Sequence, residues 1–200
     1  MNARGGLVLL PLLLWGGAGM IWTQGCSAFT SFSAAALAPG PLPRGVPDLG
    51  FVDDGGQAHA LSDSGGRFRL VSFMYLRCPL VCHLGLAHLR DVARALEAST
   101  RDRLDVWSLS FDGDSPEALA SMRANLKLPA NYRLGALVGG PLGDDDPALA
   151  RFGVLLRRRA DGQYNHSTFF YLLDERSRLV AVIPAEVPER AVKAVQEVLR

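Results

Sequence analysis

The chain has 200 residues, enough for one domain of ordinary size and an N-terminal appendage. Lys and Arg number 21 against 20 Asp and Glu, a formal charge of +1, and no basic run carries interleaved aromatics. That balance excludes a polyanion partner, so nucleic acid is not a ligand of this chain.

Arg4 is the only charge before Arg44, and it precedes an apolar run from Leu7 through Trp22. A positive n-region before an apolar h-region is the layout of a signal peptide or signal anchor, expected over residues 1–29. The uncharged stretch Gly5 to Trp22 sits near the lower length limit for a membrane-spanning helix. Cleavage near Ala36-Leu37-Ala38 and lipid attachment at Cys26 are two further routes. All three deliver the rest of the chain across a membrane, with the positive N-terminus left on the cytoplasmic side. The segment 30–47, rich in Ala, Ser, Pro and Gly, reads as a linker, and the folded domain is expected from 48 to 200.

Within that domain the pattern alternates. Arg67 to Tyr75 is a β-branched and aromatic run, hence a strand. His83 to Ala98 carries Leu84, Leu86, Leu89, Val92, Ala93 and Leu96, mostly on one helical face. Leu104 to Phe111 is a second strand, and Ser115-Pro116-Glu117 opens a helix with proline at its first position. A weaker strand over Arg133 to Val138 and a short helix over Pro147 to Phe152 follow. The triplet Arg157-Arg158-Arg159 reads as a solvated strand end or turn. Ser167 to Leu173 and Leu179 to Ile183 form a hairpin through Asp174 to Arg178, and Val187 to Leu199 is an amphipathic closing helix. A β-α-β-α front half with a hairpin and a final helix is an α/β layer sandwich. Ligands of such sheets bind at the carboxyl ends of strands.

Cysteine is sparse: Cys26 in the leader, then Cys78 and Cys82 at the first strand-to-helix turn. One close pair is either a redox couple or a set of soft metal ligands. Four residues apart, the two fall on one helical face if the turn is already helical. Helix N-terminal N–H groups would lower their pKa, and thiolates suit Cu(I). Four histidines are candidates to complete a site. His83 follows Cys82 directly but points about 100° around the helix from it. His88 is expected at the surface, and His59 in an early strand-turn segment. His166 opens a late strand whose start, in a thioredoxin-like sheet, faces the first strand-helix turn.

Three stretches together resemble the SCO/SenC family of copper-binding proteins involved in cytochrome c oxidase assembly. Phe73 to Cys82 (FMYLRCPLVC) is similar to the family's strand-then-CPxxC signature. Ser108 to Leu119 (SLSFDGDSPEAL) resembles its strand, acidic turn and helix start, and Asn165 to Asp174 (NHSTFFYLLD) its histidine segment. The resemblance covers about residues 45 to 198, and an N-terminal anchor precedes the domain as in the family. It implies a thioredoxin-like three-layer sandwich with a central mixed β-sheet flanked by helices. It also implies one copper ion, Cu(I) or Cu(II), held by Cys78, Cys82 and His166. Three neighbours depart from the family pattern: Leu76-Arg77 before the first cysteine, Leu80 within the loop, and His83 after the second cysteine.

The expectation is therefore a membrane-linked copper chaperone on the outer, periplasmic side of the cytoplasmic membrane. Its partner would be an apo-cuproprotein such as a cytochrome oxidase subunit. The alternative is a thiol-disulfide oxidoreductase that uses Cys78 and Cys82 as a redox pair on a client's cysteines. A copper or redox sensor would begin from the same site.

Overall fold

The computed structural model describes residues 15, 17–20, 31–78 and 81–200. Cys26, most of the leader, and Pro79 and Leu80 of the cysteine loop lie outside the described residues. Among the described residues no helix is long and apolar enough to cross a membrane.

Two stretches of the expected linker carry regular structure. Helix α1 spans Ser31–Leu37 and buries Ala36, and strand β1 is Arg44–Gly45. Strands β2 (Gly50–Asp53) and β3 (Ala58–Ala60) form a hairpin that the sequence reading did not divide into strands. Strand β4, Phe68–Met74, is buried at every position, Arg69 and Ser72 included. Its one charged residue, Arg69, caps the backbone carbonyls of Ala60, Leu61 and Asp63. Helix α2 runs Val81–Ala95, two residues earlier at its start than the periodicity suggested, and Ala98–Arg101 forms a separate short helix α3.

Strand β5 is Leu104–Ser110. Helix α4, Pro116–Leu126, starts as expected, with the Ser115 hydroxyl accepting the N–H of Ala118. Strand β6, Tyr132–Leu137, is not marginal, for it pairs with β5 on one side and β2 on the other. Helix α5 is Pro147–Phe152, capped by Asp146. Strands β7 (Leu156–Arg158) and β8 (Tyr164–His166) make a separate two-stranded ribbon, and the arginine triplet lies on its exposed arm. Strands β9 (Phe169–Leu173) and β10 (Arg178–Pro184) form the expected hairpin, and helix α6, Pro188–Val198, follows.

The main sheet has eight strands in the order β1-β10-β9-β4-β5-β6-β2-β3. β4, β5 and β6 are parallel, and β9 runs antiparallel to β4, so the sheet is mixed, as expected. Helices cover both faces. On one, Arg90 and Arg94 of α2 reach the carbonyls of Leu126 and Lys127 at the end of α4, and α6 packs beside α2. On the other, Phe152 of α5 meets Phe73 and Tyr171 edge-on. β4 occupies the centre, and its carboxyl end opens onto the cysteine turn.

Candidate metal centre

Cys78 does not share a helical face with Cys82. It lies in the turn before α2, its N–H directed at the carbonyl of Tyr75 (3.4 Å), while Cys82 sits in the helix's first turn. The cause is Pro79, which disfavours helical backbone at the residue before it. The offset still brings the two together, since the Cys78 Sγ accepts the backbone N–H of Cys82 at 3.2 Å. Both cysteines are buried, at 6% and 5% exposure, and no disulfide joins them.

His166 ends β8 instead of opening β9, and the ribbon delivers its imidazole to the thiols. Its Nε2 is 3.2 Å from the Cys82 Sγ. Its Nδ1 is 3.0 Å from the Ser167 carbonyl, which can only accept. In the neutral imidazole Nδ1 therefore carries the proton, and Nε2 presents a lone pair to the thiol. Tyr75 and Phe111 stand edge-on to the imidazole, with ring centres 5.8 and 5.3 Å away. Tyr75 is fixed in turn, its hydroxyl accepting the N–H of Tyr164 (3.2 Å) and donating to that residue's carbonyl (3.3 Å). A cavity of about 20 Å3 between β4, α2 and β9 reaches Cys82 and His166, room for about one water molecule.

Burial decides the electrostatics. The sequence suggested thiols acidified by the helix N-terminus, but burial pushes the Cys82 thiol well above its ordinary range, with the adjacent Cys78 adding to the effect. The Tyr75 phenol is raised as well, first by burial. The arrangement keeps Cys82 as a neutral thiol bonded to imidazole until something replaces its proton.

Two carboxylates that sequence reasoning left without a role hold the turn. The Asp114 Oδ2 accepts the Leu76 N–H at 3.0 Å and the Ser110 hydroxyl at 2.6 Å. Asp112, whose side chain is 2% exposed, accepts from Arg77 at both oxygens (2.9 and 3.0 Å). Their signal was the acidic turn Asp112-Gly113-Asp114 itself, since carboxylates after a parallel strand lie beside the neighbouring strand's carboxyl end.

The other histidines lie apart from this pair. His83 is half-buried on α2. His88 is half-buried, and its Nδ1 bonds the Ala185 carbonyl at 2.7 Å, tying α2 to the end of β10. His59 is paired with Asp53 at 2.9 Å and stacked on Phe51. Among the described residues no three His, Cys, Asp or Glu side chains already surround a common point. Cys82 and His166 touch, and Cys78 is turned onto the Cys82 backbone. Two sulfurs and one imidazole nitrogen are nonetheless a donor set suited to copper, and buried aromatic walls would keep water from it.

Comparisons with known proteins agree with this picture. Residues 43–200 match the SCO1/SenC family. The chain superposes on a SCO1/SenC family lipoprotein from Bacillus anthracis str. Ames with a TM-score of 0.67 and 21% identity, covering 80% of this chain and 98% of that one. It superposes on copper-bound ScoI of Bradyrhizobium japonicum with a TM-score of 0.60 and 23% identity, covering 76% and 98%. These likenesses fix the fold as thioredoxin-like. A protein of Stutzerimonas stutzeri, provisionally described as copper-binding, is 30% identical over 81 residues, and the chain spans 40% of that relative's length.

Proposed function

The chain belongs to the SCO1/SenC family, and we propose that it takes one copper ion at Cys78, Cys82 and His166 and passes it to an apo-cuproprotein during cytochrome c oxidase assembly. The observation that carries the reading is the 3.2 Å contact between the Cys82 Sγ and the His166 Nε2, with Cys78 folded back onto the same helix start. Copper is cargo in this scheme. The buried Cys82 thiol holds its proton, and copper uptake displaces it. The imidazole, held by Ser167, needs no change of tautomer to offer its lone pair. The copper-bound relative and the relative described as copper-binding support the cargo's identity. The leader and the lipoprotein relative support attachment to the outer face of the cytoplasmic membrane, with segment 30–47 next to the membrane link.

One observation favours a thiol-disulfide reading beside it. The Cys82 N–H bonded to the Cys78 Sγ would stabilise a thiolate on Cys78. That thiolate would attack a client disulfide, and Cys82 would then release the client as a dithiol. The chain would keep a Cys78–Cys82 disulfide, and two electrons and two protons would pass to the client.

The test is anaerobic copper titration of the reduced chain beside His166→Ala and the double variant Cys78→Ala/Cys82→Ala. Delivery requires a one-to-one complex whose Cu(II)–thiolate absorption is lost in His166→Ala. A complex that persists in the double cysteine variant overturns the copper site. No copper uptake, with client reduction intact in His166→Ala, moves the chain to the redox reading.

A further inference from the structure

The opposite end of the sheet carries a second constellation. A cavity of about 450 Å3 opens beside the amino ends of β4, β5 and β6, walled by Arg67 just before β4 and by residues of β5, β6, α3 and the loop before β6. β4 has seven residues between Arg67 in this wall and the cysteine turn, which at about 3.3 Å per residue separates the two places by roughly 20 Å.

The wall holds an excess of hydrogen-bond donors. Arg67 is partly satisfied, with its Nη2 on Asp105 (3.1 Å) and on the Arg101 and Leu104 carbonyls, yet its buried Nε–H has no acceptor. The Trp107 indole N–H and the Asn131 amide NH2 are likewise buried without acceptors. Three unpaired donors on residues around one cavity, each nitrogen itself buried, are unusual, because buried polar groups are nearly always paired. Arg133 lies with its guanidinium 5.7 Å above the Trp107 ring, and it faces solvent with no carboxylate partner among the described residues.

Charge and shape narrow the ligand. Arg67, Arg101 and Arg133 against Asp102 and Asp105 leave one net positive charge (3 − 2) on the wall, which suits one negative charge and disfavours a dianion. Pro129, Ala130 and the indole supply an apolar side for an organic body, and the volume falls in the range of small-molecule sites. We infer that this cavity binds a small organic monocarboxylate, its anionic head taken by Arg133 and the N–H groups of Trp107 and Asn131. The site is separate from the copper reading and stands without it.

The experiment uses the full chain, 15N-labelled, and follows the Trp107 indole N–H resonance, identified by its loss in Trp107→Phe. Sodium acetate, hexanoate and benzoate are titrated in turn, with benzyl alcohol and inorganic phosphate as comparisons. At least one carboxylate is expected to shift the resonance saturably while benzyl alcohol leaves it in place. Arg133→Ala, at an exposed position, should weaken that carboxylate by about tenfold while the remaining spectrum reports an intact fold. The inference is overturned if no carboxylate gives a saturating shift, or if benzyl alcohol shifts the resonance equally. It is also overturned if phosphate binds more tightly than every carboxylate, or if Arg133→Ala leaves the affinity unchanged.

Discussion

The Cys82 Sγ and the His166 Nε2 lie 3.2 Å apart although 84 positions separate them in the chain. The contact joins the start of α2 to the end of β8, two elements that share no strand pairing. It also bears on where the Cys82 proton lies, and the first prediction follows from that.

Burial raises the Cys82 thiol, so native Cys82 keeps its proton where an unfolded chain's thiol loses it. Alkylation of Cys82 by iodoacetamide at neutral pH should run about tenfold or more below the rate of an ordinary thiol. The unfolded thiol deprotonates near roughly pH 8.5, and above that pH the unfolded state binds fewer protons than the native one. Stability is therefore full below that pH and declines as pH rises. The Tyr132 and Tyr171 phenols, also raised by burial, steepen the decline above roughly pH 10. Urea midpoints taken from pH 7 to pH 10.5 should fall steadily, and a flat or rising series contradicts the assignment.

The Tyr171 hydroxyl is buried without a hydrogen-bond partner. Tyr171→Phe removes an unsatisfied group and keeps the ring that packs on Phe73 and Phe152. Urea unfolding should show the variant equal to the parent or more stable by up to ~1 kcal/mol. A loss larger than that would mean the hydroxyl has a partner in solution.

Asp114 holds the cysteine turn through Leu76 and the end of β5 through Ser110. Asp114→Ala leaves both donors without their acceptor and should cost about 1–3 kcal/mol in urea unfolding. It should also weaken copper uptake in the anaerobic titration, because the turn that places Cys78 loses its tether. Asp114→Asn, which keeps an acceptor oxygen, should recover most of both. Equal uptake by parent and Asp114→Ala would separate the carboxylate from the centre.

Gly153 ends α5 at φ 88°, and a β-carbon there would fall 2.6 Å from the Ala36 Cα. Gly153→Ala combines a left-handed backbone with a clash against α1, and a destabilisation of about 1–2 kcal/mol is expected from the backbone alone. Hydrogen exchange of residues 31–37 should quicken in the variant. Unchanged exchange there would show that α1 does not rest on this position.

Strands β4, β5 and β9 were legible in sequence because β-branched and aromatic residues mark them, although β4 and β5 also bury Arg69, Ser72, Ser108 and Ser110. Helix α4 announced itself through Ser115 and Pro116. The two-residue strand β1, the hairpin β2–β3 and the ribbon β7–β8 were not legible, for two to four residues are too few to establish a period. The Cys78–Cys82 spacing marked the turn before α2, but not Cys78 lying ahead of the helix, nor burial outweighing the helix N-terminus at Cys82. His88 was misjudged because its carbonyl partner, Ala185, is 97 positions away and nothing local marks it. His166 was found through the resemblance of its segment, since the ribbon that carries it has no period of its own.

The imidazole reaches the thiols on a ribbon that pairs with no strand of the main sheet, while the two sulfurs sit in the turn after β4 and at the start of α2. Inheritance can act on those two parts separately. Exposed arginines on the ribbon's outer arm can drift, and the β7–β8 turn can lengthen, without altering how the sheet is woven. Changes around Cys78 are not so free, because every residue of β4 is packed from both sides. Lineages of this fold should accordingly vary most in how the nitrogen donor is presented and least in how the sulfur pair is seated. The same asymmetry makes the ribbon the place where an engineer could exchange one metal preference for another and still recover a folded protein.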